Sequence, residues 1–228
     1  MTWHLSHCTH SRGGYANSYE LNIQKPYALL GYNHKKKMIF STTPFNSVGN
    51  NFPIIGAKTG SGDGYYTLVM VCKICDYIVS GAIMNAHDEQ GRFKAINELM
   101  NIGYKILIDR VDFRNFKVFN AKNACLYSMD NSGGVNCIYT QNGDEKSAPM
   151  STTKVMTLIV ARKYIKDWNA MEYITPFDVK DDDNDILHSW DKISIHDMKE
   201  AMMIYSSNVA ANALARITGE RILNLSRK

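Results

Sequence analysis

The chain has 228 residues, of which 45% are hydrophobic and 21% charged. Such a composition excludes a disordered chain and suits one globular domain, or one domain of two lobes, long enough to bury a real core. Twenty-six Lys and Arg against 22 Asp and Glu leave a formal charge of +4. The basic residues are scattered apart from Lys35-Lys36-Lys37, which reads as a solvated turn between strands, so no nucleic-acid partner is indicated.

Five cysteines do not make a tidy disulfide framework. Cys72 and Cys75 form a lone CxxC, and Cys8 sits inside His4-Leu5-Ser6-His7-Cys8-Thr9-His10. A structural zinc site needs a second ligand pair at matched spacing, and nothing after Cys75 supplies it, so no metal is expected. Met1-Thr2-Trp3-His4 lacks the basic stretch and apolar core of a signal peptide. The most apolar segment, Tyr65 to Met84, is broken by Lys73 and Asp76, so no transmembrane segment is expected.

In chain order, three strands are expected at Met38–Phe40, Tyr66–Cys72 and Asp76–Met84, with the glycines of Gly60-Ser61-Gly62-Asp63-Gly64 separating the first two. A helix follows, because Phe93, Ile96, Leu99 and Met100 recur at three- and four-residue spacing, with Gly103 as its stop. Residues 105–120 read as a connector. Then comes a hairpin, Ala124–Met129 and Val135–Thr140, around the turn Asp130-Asn131-Ser132-Gly133-Gly134. Three strands, a helix and a hairpin suit an antiparallel sheet with helices packed on it.

Beyond Pro149 the pattern is helical. Val155, Leu158, Ile159 and Val160 make Thr152–Ile165 apolar on most sides, which predicts a buried helix. Asp181-Asp182-Asp183-Asn184-Asp185 resembles the opening of a calcium loop. However, Ile186 stands where glycine is needed and Lys192 where glutamate is needed, so it reads as a solvated loop. Ser194 with Asp197 three residues on caps a helix running to Tyr205, and another runs from about Val209 to Ile217 with Gly219 as its stop.

Three short motifs carry chemistry. Ser151-Thr152-Thr153-Lys154 opens the apolar helix, and residues three apart share a face, so the hydroxyl of Ser151 and the amine of Lys154 can meet. The helix N-terminus favours negative charge developing on that hydroxyl, and burial eases the proton off a lysine. SxxK is expected about once by chance in a chain this long. Ser189-Trp190-Asp191-Lys192 is a second match, but it precedes a polar turn and reads as structural. Ser206-Ser207-Asn208 lies between two helices and reads either as a capped turn or as a proton relay with an orienting amide. Lys58-Thr59-Gly60-Ser61 reads either as edge strand or as a strand beside a cleft, with Lys58 and Thr59 binding an anionic substrate end and Gly60 keeping the approach clear.

The trio SxxK, SxN and KTG resembles the serine-type D-alanyl-D-alanine carboxypeptidases, the low-molecular-mass penicillin-binding proteins, which share a superfamily with class A β-lactamases. The flanks resemble that family too: Phe119-Asn120-Ala121-Lys122-Asn123-Ala124 before the hairpin, Asp144 to Thr157 around the first motif, Ser206 to Ala215, and Gly56 to Gly64 with Arg92-Phe93 beyond. The order does not. In the family SxxK comes first and KTG last; here the reading 111–228 followed by 1–110 restores that order, so the chain resembles a circular permutant. Residues 1–110 match the family's C-terminal half and 111–228 its N-terminal half, with 1–30, including Tyr15-Ala16-Asn17-Ser18-Tyr19, matching least well. A joint across 105–120 is short because domain ends often lie close together.

The resemblance implies one transpeptidase-like domain over 1–228, α+β in class, with an antiparallel sheet flanked by helices and an all-helical lobe. It implies an extracytoplasmic enzyme acting on peptidoglycan stem peptides and acylated by β-lactam antibiotics, with no cofactor. Ser151 would be the nucleophile, Lys154 its base, Ser206 the proton relay and Asn208 the orienting amide, while Lys58, Thr59, Gly60 and Ser61 would bind the terminal carboxylate. A class A β-lactamase is the nearest rival; it needs a deacylating glutamate in an ExxLN-like loop, and neither Glu220 nor Glu20 has that pattern. A non-catalytic cell-wall-binding relic is the other.

Overall fold

The computed structural model describes residues 27–30, 36–39, 52–112, 116–180, 182 and 184–226. Lys35, Phe40, Cys8 with its neighbouring histidines, Tyr15–Tyr19 and Glu20 lie outside the described residues.

A short antiparallel pair comes first, β1 (Tyr27–Leu30) and β2 (Lys36–Ile39). Lys36 and Lys37 therefore lie in a strand rather than in the turn expected of them, a correction to the charge-based reading. The main sheet has five antiparallel strands in the order β3 (Ile54–Gly62), β4 (Tyr65–Ile74), β5 (Tyr77–Ala86), β6 (Ala121–Met129) and β7 (Val135–Gln141). The glycines at 60 and 62 do not end a strand, as expected, but belong to β3. The reversal falls at Asp63-Gly64, both at positive φ.

Helix α1 (Glu89–Leu107) links β5 to the second half of the sheet and packs on β4, β5 and β6. Asp88 caps it by accepting from the Gly91 N–H at 2.7 Å. Along β4, Leu68, Met70, Cys72 and Ile74 alternate into the same core as Phe93, Ile96, Leu99 and Met100 of α1, as the period-two and helical spacings require. Gly103, expected to stop this helix, lies inside it instead. A Cβ there would come within 2.6 Å of Leu126 Cδ2, so the missing side chain lets helix and sheet approach.

The second apolar cluster belongs to helices. After a 3-10 turn at Met150–Thr152 comes α2 (Thr153–Tyr164), then the short pair β8 (Met171–Tyr173) and β9 (Lys192–Ser194). Helix α3 (Ile195–Glu200) is capped by Ser194, whose Oγ accepts from the Asp197 N–H at 3.0 Å, and continues as a π-helical turn over Ala201–Tyr205. The final helix, α4 (Asn208–Ser226), runs through Gly219, so that glycine is not the stop expected of it.

Helix α2 also departs from its expectation of full burial. Lys154 and Ala161 are buried against the lobe, while Met156 and Ile159 stay 57% and 55% exposed. Its packing is on α4, and the apolar stripe on the other side meets no described element strongly enough to bury it. The whole is α+β, an antiparallel sheet with helices and a helical lobe, consistent with the transpeptidase-like architecture.

Candidate active site

Three chain segments converge where the edge strand β3 meets the start of α2 and the turn before α4. Ser151 sits in the 3-10 turn at the mouth of α2, just after Met150, whose φ of 49° is left-handed. Lys154 is one turn on, on the same face, and its Nζ donates to Ser151 Oγ at 2.9 Å and to Asn208 Oδ1 at 2.6 Å. Ser206 follows the π-helical turn, also left-handed at φ 71°. Its Oγ accepts from Lys58 Nζ at 2.9 Å, a contact spanning 148 positions of chain. Such left-handed backbone at non-glycine residues costs energy and is sustained only where the surroundings impose it. Here it occurs beside two of the three motifs.

The motifs expected in one cleft are thus in hydrogen-bonding contact: Ser151, Lys154 and Asn208 directly, with Lys58 and Ser206 alongside. Thr59 is buried, Ser61 is exposed at the strand end, and Gly60 lies against the turn at Met150 and Ser151. A Cβ on Gly60 would stand 2.5 Å from Thr67 Oγ1, 2.8 Å from the Ser151 backbone nitrogen and 2.9 Å from Met150 Cβ. Thr67 Oγ1 lies between the Gly60 and Pro149 carbonyls, at 3.4 and 3.2 Å, and pins β4 to both sides of this contact. Gly60→Ala must therefore push the strand away from the Ser151 backbone nitrogen and Met150 Cβ, neither of which has a rotamer to yield. We expect a loss of about 1–3 kcal/mol in thermal or denaturant unfolding. An alanine variant as stable as the parent would show that strand and turn are not in this contact.

Two buried amines set the electrostatics. Burial brings Lys58 down to about 7, aided by the positive charges of Lys154 and Arg92. Burial also lowers Lys154, against the opposing pull of Asp185 and then Asp182. Each lysine therefore gives up its proton more readily than an exposed one.

Two residues given no role by the sequence complete the surroundings. Arg92 is almost fully buried; its Nη1 donates to Ser61 Oγ at 2.6 Å and to the Gly60 carbonyl at 3.2 Å, and Nη2 pairs with Glu89 at 2.8 Å. A lone arginine on the apolar face of α1, beside Phe93 and Ile96, was the available signal. Asp185 corrects the expectation of a solvated acidic loop. It is only 7% exposed and accepts from Ser207 Oγ at 2.7 Å and from the Asn208 and Val209 N–H groups at 2.9 and 3.3 Å. It thereby satisfies the open N-terminus of α4, together with Ser207 Oγ, which accepts from Ala210 N–H at 2.9 Å. Asp182 of the same run accepts from Asn208 Nδ2 at 3.0 Å. The second SxxK match lies elsewhere, with Trp190 in a turn and Lys192 in β9.

The antiparallel sheet with its helices and helical lobe is consistent with a transpeptidase-like fold, and a serine–lysine pair lies at a helix mouth within it. Residues 117–221, a little under half of the chain, match the family model described as D-alanyl-D-alanine carboxypeptidase, which supports the family that the motifs resemble. The match takes in Ser151, Lys154, Ser206 and Asn208 and stops short of β3 in sequence. Members of the family act on peptidoglycan peptides, are β-lactam targets and are typically extracytoplasmic. No curated protein and no solved structure gives a match. No helix among the described residues is long and apolar enough to cross a membrane.

Proposed function

We propose that this chain is an active D-Ala-D-Ala carboxypeptidase working through an acyl-serine, with the two halves of its catalytic domain in swapped order. The observation that carries the reading is the reach of Lys58 to Ser206 beside the Ser151–Lys154–Asn208 cluster. Those residues come from opposite halves of the chain, and chance matches to three short motifs have no reason to meet. The swap is further supported by the β5–β6 ladder, which joins the two halves through one continuous sheet, for instance at Ile83↔Ala124.

In this mechanism neutral Lys154 takes the Ser151 proton as Oγ attacks the carbonyl carbon of the penultimate D-Ala. The oxyanion is held by the backbone N–H groups of Ser151 and Ser61, a role worth a few kcal/mol in comparable sites, roughly 3–4. Ser206 relays that proton from Lys154 to the departing D-Ala amine, which leaves the lysine neutral again, and Asn208 holds Lys154 in place. Lys58 as the cation, with Thr59 and Ser61, receives the substrate's terminal carboxylate, while Arg92 fixes the Ser61 hydroxyl. Water, giving a proton to Lys154, then attacks the Ser151 ester, and the lysine passes that proton to Ser151 Oγ as the acyl group leaves. Penicillin would acylate the same oxygen. The peptidoglycan location of this substrate puts the working site outside the cytoplasmic membrane.

The test is release of free D-alanine from an N-acylated peptide ending in D-Ala-D-Ala. One equivalent of D-alanine per peptide cleaved, blocked by prior exposure to penicillin, is the expected result. Rapid turnover of penicillin itself would instead make the protein a β-lactamase, and a folded protein inert to both would make it a non-catalytic relic.

A further inference from the structure

The acidic run at 181–185 is not absorbed by the mechanism above, yet one of its carboxylates touches the site. We infer that Asp182 is a positioning residue for the Ser151–Lys154 pair: it locks the Asn208 amide with Oδ1 towards Lys154, which keeps the lysine's lone pair free for the Ser151 proton. This rests on the acyl-serine reading of the site.

The geometry is specific. Asn208 Oδ1 lies 2.6 Å from Lys154 Nζ, and on the other side Asn208 Nδ2 donates to Asp182 Oδ2 at 3.0 Å. The two ends of an amide have nearly the same shape, so an unconstrained asparagine can turn over. An ionised carboxylate only accepts, so Asp182 accommodates the NH2 end and rejects the oxygen. The consequence falls on the neutral lysine. Its amine has a single lone pair, which is the base for the Ser151 proton. With the amide turned over, an N–H of Asn208 would donate to that lone pair and compete with the serine. With the amide held, Oδ1 can only accept from the amine, and the lone pair stays available.

Charge adds to the effect. Among the described residues, the charged groups acting on Lys154 are Lys58 from β3 and the two carboxylates Asp182 and Asp185 from the loop before β9. Asp185 is occupied by Ser207 Oγ and by the Asn208 and Val209 N–H groups. Asp182 reaches the Asn208 side chain itself. A negative charge there favours the protonated lysine, so removing it moves the lysine's titration to lower pH.

The experiment compares the parent with Asp182→Asn and Asp182→Ala, full length and folded. The titration of Lys154 is followed by NMR of 13C-labelled lysine, its signal assigned by loss in Lys154→Arg, and the rate of acylation by penicillin is measured across pH. Asparagine at 182 can still accept from Asn208 but carries no charge, whereas alanine offers nothing. We expect the Lys154 titration to fall by on the order of half a pH unit to one unit in the asparagine variant, and further in the alanine variant, where the turned amide also stabilises the neutral amine. The acid limb of acylation should move the same way. Its plateau should drop about tenfold in Asp182→Ala, the worth of one hydrogen bond to a charged group, and by less in Asp182→Asn, whose amide can accept from Asn208 or, turned over, donate to it. A Lys154 titration that stays in place, or one that falls equally in the two variants, would overturn the inference. A loop with a merely structural role would lower the unfolding temperature and leave that titration unmoved. If the parent protein is not acylated at all, the functional reading fails, while the NMR titration still decides the role of Asp182.

Discussion

Ser151→Ala should lose all covalent labelling by a fluorescent penicillin while keeping the parent's fold and unfolding temperature. The hydroxyl is the only atom removed. It is half-buried, its partner is the Lys154 amine at 2.9 Å, and no backbone bond depends on it among the described contacts. Loss of one member of a catalytic unit typically costs as much as losing the whole unit, on the order of 10⁴–10⁶ in rate, so the label should vanish rather than weaken. Release of D-alanine should fall by the same order. A folded alanine variant that still takes the label would move the nucleophile to another residue. Ser206 is the first to test, because its Oγ is held by Lys58 beside the Ser151–Lys154–Asn208 cluster.

Lys154→Ala should slow acylation by about 10²–10⁴, the range expected when a general base is removed. The pH dependence should change with it. In the proposed mechanism Lys154 acts as a base only when neutral, so acylation by the parent should rise with pH as the lysine gives up its proton. Burial pulls that rise below the range of an exposed lysine, with Asp185 and Asp182 opposing it. Lys58 works in the opposite sense. It attracts a carboxylate only when charged, and with its own value near 7 it loses that charge as pH rises further, until a bound carboxylate restores it. The two titrations should therefore oppose each other in the parent, Lys154 raising the rate as it is deprotonated and Lys58 lowering it as its charge is lost. The alanine variant should keep the fall and lose the rise. An unchanged rise in Lys154→Ala would assign the base to a different group.

The parts legible in the sequence were those with local causes. The spacing of Phe93, Ile96, Leu99 and Met100 specified α1, and the turn chemistry of Asp130 to Gly134 specified the β6–β7 hairpin, whose Asp130 does accept from the Ser132 and Gly134 N–H groups. Ser194 with Asp197 likewise located the start of α3. Glycine misled twice. Gly103 and Gly219 resemble helix stops in the sequence, yet both sit inside helices, and for Gly103 the reason is tertiary, the nearness of Leu126. Helix α2 misled for the same kind of reason. An all-round apolar pattern reports what a helix could bury, whereas exposure depends on which neighbours arrive.

The candidate site divides along the same line. Ser151 and Lys154 could be paired from helical spacing alone. That Lys58 comes to rest beside Ser206 follows from no local rule, and the expectation of it came from the family resemblance. Arg92, Asp182 and Asp185 had no legible role because each acts across a long stretch of chain. Asp185 bonds to residues 22 to 24 positions away, and an acidic run gives no sign of which carboxylate will turn inward. Its reward is the open end of α4, whose N–H groups need an acceptor once they are buried.

The most direct test of the shared cleft is a crystal structure of the protein after reaction with penicillin. The account predicts an ester on Ser151 Oγ, with the drug's carboxylate within hydrogen-bonding distance of Thr59 or Lys58 on β3. An adduct on any other residue, or a carboxylate turned away from β3, would contradict it.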